Sequence, residues 1–402
     1  MADSSTRAGP ALPFRAALPH VALIVGVFFF NFLSRFIPAP FLVQIEAEFS
    51  ASHVQAGSIF FFLSLGTSAA LLGSGFLARH IRHRGAVCVS STGVGVMLLV
   101  CSAAPSLFWL KFGMLVLGLC VGLYLPSGIS TLTSLLAPKD WGKGLGMHEM
   151  APNLAFISAP AIAAAVEGVL SWRAAIALVG CAALAMAAGF ASIARGGRFP
   201  GETPMPKTVL RVLRTPHFWI LTGLFTLAAA ANFGAYNMLP LYLVSEHDLQ
   251  PQWANNLVSM SRIPCLVMAL SAGILLDRIG VRPSIVLALG FTGAMTLLLG
   301  LLQGQALQAA VLAQALFASC FFPAGFTAIS WSFPDKVRNV AVSVIIPPAT
   351  LLGIGVTPAL LGWFGDAGLF PVGFAILGSI VVLGCGLVGL LSLEPALVDE
   401  KE

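Results

Sequence analysis

The chain has 402 residues, of which 58% are hydrophobic and only 9% are charged. Soluble domains carry about a quarter charged residues, so this composition excludes an ordinary soluble protein and indicates a membrane protein. The net charge of +5 does not indicate a nucleic-acid partner, because most of the positive charges lie in one set of connecting segments.

Apolar stretches follow one another along the whole chain. Each is close to the roughly 20 residues that a helix needs to cross the hydrocarbon core of a bilayer. We place twelve of them, at 17–38, 54–77, 85–104, 108–136, 145–165, 172–193, 217–244, 254–276, 283–303, 306–332, 340–363 and 368–392. The sequence therefore predicts an all-α polytopic membrane protein with twelve transmembrane helices.

The distribution of charge predicts the orientation of these spans. If the N-terminus is cytoplasmic, 17 of the 21 Lys and Arg residues lie in cytoplasmic segments. The outer loops are acidic instead, with Glu46, Glu48, Glu167, Glu246, Asp248 and Asp366. This asymmetry follows the positive-inside rule and predicts a multi-pass protein of the inner (plasma) membrane with both termini in the cytoplasm.

One sizeable polar stretch, 195–216, lies at the middle of the chain. It contains Gly196-Gly197, several prolines and five basic residues, a composition typical of a linker. It predicts a cytoplasmic connection between an N-terminal six-helix bundle, 1–194, and a C-terminal six-helix bundle, 217–402.

The two halves repeat each other. The basic loop segment 75–84 recurs at 273–282, an offset of 198 residues. Three further matches have nearly the same offset: Pro126 with Pro323, Pro160 with Pro358, and Pro40 with Pro240. Registered matches of this kind indicate a duplicated unit, as in transporters built from two similar halves.

The second basic loop resembles the loop signature of the major facilitator superfamily, G-x-L-x-D-R-x-G-x-R. The matching residues are Gly273, Leu275, Asp277, Arg278, Gly280 and Arg282. The resemblance implies two six-helix bundles around a central cavity that opens alternately to each side, with this loop holding the bundles together in one conformation. It assigns conformational gating to Gly273, Asp277, Arg278, Gly280 and Arg282; the alternative is that the basic residues only determine topology.

The first copy of the loop departs from the signature. Arg79 occupies the position of the signature Asp, and Arg82 occupies the position of the Gly. The resemblance therefore implies that a latch on this side uses different partners or is weaker.

Arg35 in the first span is the leading candidate for substrate binding. Its spacing to the segment 48–52 is similar to that in organic-anion transporters of this superfamily, in which an arginine lines the cavity. A guanidinium stays charged and can bind an oxyanion through two parallel hydrogen bonds. The alternatives are that Arg35 reaches the outer interface or pairs with Glu46.

Arg262 in the eighth span is the candidate from the second half, by analogy with monocarboxylate transporters of the superfamily. Two arginines, one in each bundle, would give an anion contacts that draw the halves together and bias a two-state equilibrium. Uncharged polar residues within spans complete the predicted substrate site: Asn31, Asn153, Asn232, Tyr236 and Asn237.

Glu149 and His148 in the fifth span are the candidates for proton coupling. A lone carboxyl group in low dielectric binds a proton more readily, and a histidine titrates in the same range. The alternative is that both lie at the cytoplasmic end of the span and pair with Lys143 or Lys139. A zinc site of the HExxH type is excluded, because position 152 is Pro152.

These observations predict a secondary active transporter that moves a small solute, an organic anion coupled to protons, by alternating access. The alternative is an exporter of drugs or metabolites from the same superfamily. No enzymatic constellation or nucleotide-binding pattern is present in the sequence, so we expect no catalysis, cofactor or metal. The expected partners are a small-molecule substrate, the lipid bilayer and protons, without nucleic acid, and the expected state is a monomer.

Overall fold

The computed structural model describes residues 13–201 and 206–391, and every regular element within these ranges is a helix. Ten of these helices are long and apolar enough to cross a membrane, and the pair 251–269 and 271–279, bent by 56°, would be an eleventh crossing. The prediction of an all-α polytopic membrane protein is confirmed.

The chain forms two compact units. The first comprises Met1–Ile45 and Phe62–Thr203, and the second comprises Glu46–Phe61 and Pro204–Glu402. The division falls inside the polar stretch 195–216, whereas the segment 46–61 groups with the second unit although it precedes most of the first in sequence.

The first unit is built around a 23-residue helix, α1. The helices that begin in the first half of the chain are α1 (Phe14–Phe36), α2 (Leu42–Phe49), α3 (His53–Ser102), α4 (Leu107–Gly122), α5 (Tyr124–Leu135), α6 (Trp141–Val166) and α7 (Trp172–Ile193). Helix α1 packs against α6 and α7. Helices α3 and α4 approach so closely at Gly66 and Gly118 that a side chain at either position would collide with the backbone of the other helix. Glycine permits such close contacts between helices.

Helix α3 is long enough for two crossings. Its 50 residues correspond to about 75 Å at 1.5 Å per residue, more than twice the hydrocarbon thickness of roughly 30 Å. The helical conformation is interrupted at Arg82 (φ 62°, ψ 164°), between the predicted spans 54–77 and 85–104. Counting α3 as two crossings and the bent pair 251–279 as one brings the number of crossings within the described residues to the expected twelve.

The described part of the second unit is also helical. Its helices are α8 (Pro206–Leu213), α9 (Pro216–Ala229), α10 (Ala235–Ser245), α11 (Pro251–Ser261), α12 (Ile263–Ile279), α13 (Val281–Leu299), α14 (Gly304–Gln314), α15 (Phe321–Ser332), α16 (Asp335–Ala349), α17 (Thr357–Asp366) and α18 (Phe370–Gly384). The predicted spans 108–136 and 306–332 are each broken in the structure, at Leu123 and over 315–320.

Two π-helical segments face each other in the second unit. Ala230–Gly234 connects α9 to α10, and Thr350–Val356 connects α16 to α17. A side chain at Gly234 would collide with the carbonyl oxygen of Gly353, so the two backbones touch. Since π-helical turns are rare and occur frequently at functional sites, the residues around this contact are candidates for a functional site.

The start of α3 belongs to the second unit because α17 caps it. The carboxylate of Asp366 accepts hydrogen bonds from the backbone N–H groups of His53 (2.7 Å) and Val54 (3.1 Å). A carboxylate at a helix N-terminus satisfies free donors and complements the helix dipole. Glu46 lies beside this cap, with Oε1 at 2.9 Å from Nδ1 of His53.

Candidate substrate and proton sites

Arg35, in the last turn of α1, is held by an uncharged residue. Its Nη2 donates to Oδ1 of Asn31 at 2.9 Å, and its guanidinium lies 4.7 Å from the ring centroid of Phe32. Glu46, the alternative partner from the sequence, pairs with His53 instead. Within 13–201 and 206–391 no carboxylate lies within ion-pair distance of Arg35, so its charge is not neutralised there.

Asn31 fixes Arg35 to the neighbouring helices. Its side-chain nitrogen donates to the carbonyl oxygen of Val121 at 3.2 Å and lies 3.5 Å from Oγ of Ser90. Both ends of the amide are thus used within the first unit. Asn31 orients the guanidinium, and Arg35 presents the charge.

Arg262 sits at the junction of α11 and α12 in the second unit and is only 3% exposed. Its Nη1 donates to Oδ1 of Asn232 at 2.6 Å, and its Nη2 donates to the backbone oxygen of the same residue at 3.3 Å. The guanidinium lies 4.6 Å from the ring centroid of Tyr236. Sequence analysis named these three residues separately, and the structure brings them together.

Gln314 is a functional candidate that sequence analysis missed. Its Nε2 donates to the carbonyl oxygen of Ala231 at 2.8 Å and to Oγ1 of Thr296 at 3.1 Å. Ala231 precedes Asn232 inside the π-helical segment, so Gln314 braces the backbone that carries the partner of Arg262. The available signal was a glutamine within an apolar span, since a buried amide needs hydrogen-bond partners.

The other two predicted asparagines differ from each other. Asn237 is fully buried, and neither polar atom of its side chain has a hydrogen-bond partner in the part of the chain that the structure describes. Asn153 donates to the carbonyl oxygen of Glu149 at 3.0 Å, within its own helix. Asn237 therefore retains hydrogen-bonding capacity, whereas the amide nitrogen of Asn153 is used locally.

His148 is completely buried between α1, α5 and α6. Its Nε2 lies 3.1 Å from the hydroxyl oxygen of Tyr124, which also lies 3.0 Å from the carbonyl oxygen of Ile24. A carbonyl only accepts, so Tyr124 donates its proton to Ile24 and accepts one from Nε2 of His148.

The other ring nitrogen of His148 faces Glu149. Nδ1 of His148 lies 3.4 Å from Oε1 of Glu149, whose side chain is 66% exposed. With Nε2 protonated, a neutral His148 would direct a lone pair at the carboxylate, so the contact is favourable only when a proton lies between the two groups. The alternative pairing with Lys143 is not observed, because Lys143 pairs with Asp140 at 2.9 Å.

Helix α1 joins the two candidate sites of the first unit. The ring of His148 stacks on Phe28 with centroids 4.0 Å apart, Phe28 meets Phe32 edge-to-face at 5.5 Å, and Arg35 lies over Phe32. A displacement of α1 would therefore act on both the buried imidazole and the guanidinium.

The loop that resembles the superfamily signature is shaped by its backbone. Gly280 separates α12 from α13 with φ 82° and ψ 173°, a conformation that disfavours any side chain. Arg282 donates to the backbone oxygen of Leu391, and Arg84, its counterpart in the repeat, donates to Ala191 (2.8 Å) and Ala194. Each of these arginines thus satisfies carbonyl groups at a helix end in its own unit.

The other residues assigned to gating are free of such contacts. Asp277 and Arg278 are exposed, and neither takes part in an ion pair between residues that the structure describes. Open space surrounds Gly273, so its lack of a side chain serves no close contact in this unit.

The sequence profile of the Major Facilitator Superfamily matches residues 24–303 and 251–401, which together span nearly the whole chain. The protein belongs to the Major Facilitator Superfamily. It is therefore a multi-pass membrane protein of a family and fold that transport solutes and in general are not enzymes. No individually curated protein matches the sequence.

Solved structures of superfamily transporters share the fold. A bacterial homologue of the human lysosomal transporter Spinster, inward-facing and occupied, has a TM-score of 0.76 at 15% identity, covering 95% of this chain and 98% of that one. A variant of the peptide transporter POT has a TM-score of 0.78 at 14% identity (95% and 96% covered). A D-xylose–proton symporter has a TM-score of 0.75 at 14% identity (94% and 98% covered). At these identities the similarity establishes the fold alone.

Proposed function

We propose that this superfamily member is a secondary active transporter that moves a small organic anion together with a proton by alternating access. The observation that carries the proposal is the environment of Arg35, a guanidinium held by Asn31 and Phe32 with no carboxylate at ion-pair distance in the described ranges. A charge within a membrane costs roughly 2.5–3.5 kcal/mol on insertion scales. An anionic substrate would offset that cost.

Arg262 supports the same assignment in the second unit. Its guanidinium donates a hydrogen bond to the side chain of Asn232 and lies over the ring of Tyr236. An amide and an aromatic ring hold a guanidinium in a defined orientation. We propose that Arg35 and Arg262 are the anion-binding residues, with Tyr236 and Asn237 as further contacts and Asn31 and Asn232 as supports.

The proton-coupling role belongs to His148 and Glu149. Nδ1 of His148 lies 3.4 Å from Oε1 of Glu149, and Glu149 is exposed to solvent while His148 is buried, so a proton could pass between them. The fold also occurs in a D-xylose–proton symporter, so proton coupling is available to this architecture. The row of rings along α1 supplies a physical connection to Arg35.

The orientation of the protein is part of the proposal. The positive-inside asymmetry supports an inner-membrane location, cytoplasmic termini and two six-helix bundles, 1–194 and 217–402, joined by a cytoplasmic linker. We assign conformational gating to Asp277 and Arg278, whereas Gly280 and Arg282 shape and anchor the loop that carries them.

Uptake by proteoliposomes tests the proposal. Radiolabelled mono- and dicarboxylates are offered with and without an inward proton gradient, and we expect the gradient to drive accumulation of at least one of them. Vesicles of the opposite orientation distinguish import from the alternative, the export of drugs or metabolites. If proteoliposomes take up every carboxylate no faster than protein-free vesicles do, the proposal is contradicted.

The Arg35→Lys variant tests the anion-binding residue itself. Lysine keeps the charge but loses the two parallel donors of the guanidinium, so we expect anion uptake to fall at least about tenfold, which corresponds to one bidentate contact of about 1.5–3 kcal/mol. Arg173→Lys is the matched control, because Arg173 donates to the backbone oxygens of Ser102 and Ala104 in the same unit. If the Arg35 variant transports as well as the control, Arg35 does not bind the substrate.

A further inference from the structure

Helix α8, in the stretch between the halves of the chain, has two distinct faces. Val212 is buried in the hydrophobic core of the second unit, and Val209 and Leu213 pack against the same core. Lys207, Arg211 and Arg214 are exposed. At 100° per residue, positions 207, 211 and 214 fall within about 60° of one another.

The helical geometry continues through the last of these cations. The backbone N–H of Arg214 donates to the carbonyl oxygen of Leu210 at 3.3 Å, which completes the final turn. We call Lys207, Arg211 and Arg214 the basic stripe. None of the three forms an ion pair with any residue whose placement the structure describes.

The basic stripe lies next to the start of a membrane helix. Helix α9 begins at Pro216, and Thr215 caps it by accepting from the N–H of Phe218 at 3.3 Å. Trp219, in the first turn of α9, is 67% exposed. Exposed tryptophans at the end of a membrane helix mark the level of the lipid headgroups, so the basic stripe lies within a few residues of that level.

We propose that the basic stripe binds the headgroups of anionic phospholipids in the leaflet on the linker side of the membrane. Charge complementarity selects this occupant, because three aligned cations, none of them ion-paired with a residue that the structure describes, face outward at headgroup depth. Val209, Val212 and Leu213 already pack against the core, so this face of α8 is not available to insert into acyl chains in the manner of a free amphipathic helix. The contact is electrostatic and therefore sensitive to salt.

Binding of fluorescent phosphatidylglycerol to the purified full-length protein in uncharged detergent tests this proposal. The variant Lys207→Gln/Arg211→Gln/Arg214→Gln should bind the lipid at least about tenfold more weakly, because each cation near an anionic lipid contributes up to about fivefold. Raising the salt concentration to 0.5 M should weaken binding to the wild type in the same way. Fluorescent phosphatidylcholine should bind both proteins alike.

The matched control removes the same charge elsewhere. Lys139, Arg195 and Arg198 are exposed cations of the first unit that do not share a helical stripe, and Lys139→Gln/Arg195→Gln/Arg198→Gln should bind within twofold of the wild type. Equal weakening of both triple variants would indicate a general effect of net charge and overturn the proposal. Unchanged binding by the stripe variant, or displacement of the lipid by millimolar inorganic phosphate, would also overturn it.

Discussion

Arg82 and Gly280, 198 residues apart, adopt nearly the same backbone conformation. Arg82 has φ 62° and ψ 164°, and Gly280 has φ 82° and ψ 173°. Each residue separates two helices at the same place in the duplicated pattern. This region of backbone space is essentially restricted to glycine, so the first copy of the loop holds a strained residue where the second holds a relaxed one.

Replacing Arg82 by glycine is therefore expected to stabilise the protein. Relief of the strain is worth about 1–3 kcal/mol, and it should appear as a higher unfolding temperature of the purified protein in detergent. Arg79→Gly, within the regular part of α3, is the control and should lower stability by about 1 kcal/mol. A lower unfolding temperature for Arg82→Gly would contradict the inferred strain.

The Gln314→Leu variant should weaken anion transport by loosening the support of Arg262. The buried carbonyl oxygen of Ala231 would lose its donor, at a cost of about 1–3 kcal/mol. We expect the KM for the anion to rise severalfold while the maximal rate changes less. Thr296→Val removes only the weaker of the two bonds of Gln314 and should have a smaller effect; an equal effect on both variants would point to general destabilisation.

Neutralising Glu149 should separate transport from proton coupling. Glu149→Gln cannot exchange a proton with His148, so accumulation driven by a pH gradient should disappear while exchange of labelled for unlabelled substrate continues. Glu246→Gln, in an exposed loop of the second unit, is the control and should keep both activities. Gradient-driven accumulation that persists in Glu149→Gln would remove this pair from the proton pathway.

The signature loop contains residues of two kinds, and mutations should distinguish them. Asp277 is exposed and makes no ion pair within the described ranges, so Asp277→Asn should leave the unfolding temperature nearly unchanged but lower the maximal transport rate. Arg282→Gln removes the donor to Leu391 and should lower stability by about 0.5–1.5 kcal/mol. Thermal unfolding and initial uptake rates measured on both variants decide between these roles; a stability loss in Asp277→Asn would assign it a structural one.

Much of the candidate site could be named from the sequence but not assembled from it. Arg35 and Asn31 are one helical turn apart, so their contact follows from local geometry. Arg262 is 30 residues from Asn232, and Gln314 is 83 residues from Ala231. Contacts over such separations depend on how helices pack.

The sequence by itself determined the all-helical membrane architecture and the superfamily, because apolar length, charge asymmetry and the loop signature are local properties of the chain. The internal repeat was equally visible, since duplication preserves residue types at a fixed offset. Only the tertiary structure decided that Glu46 pairs with His53 rather than with Arg35, that Tyr124 fixes the tautomer of His148, and that Arg282 caps a helix end. Side chains choose partners by proximity in three dimensions, and a linear pattern does not contain those distances.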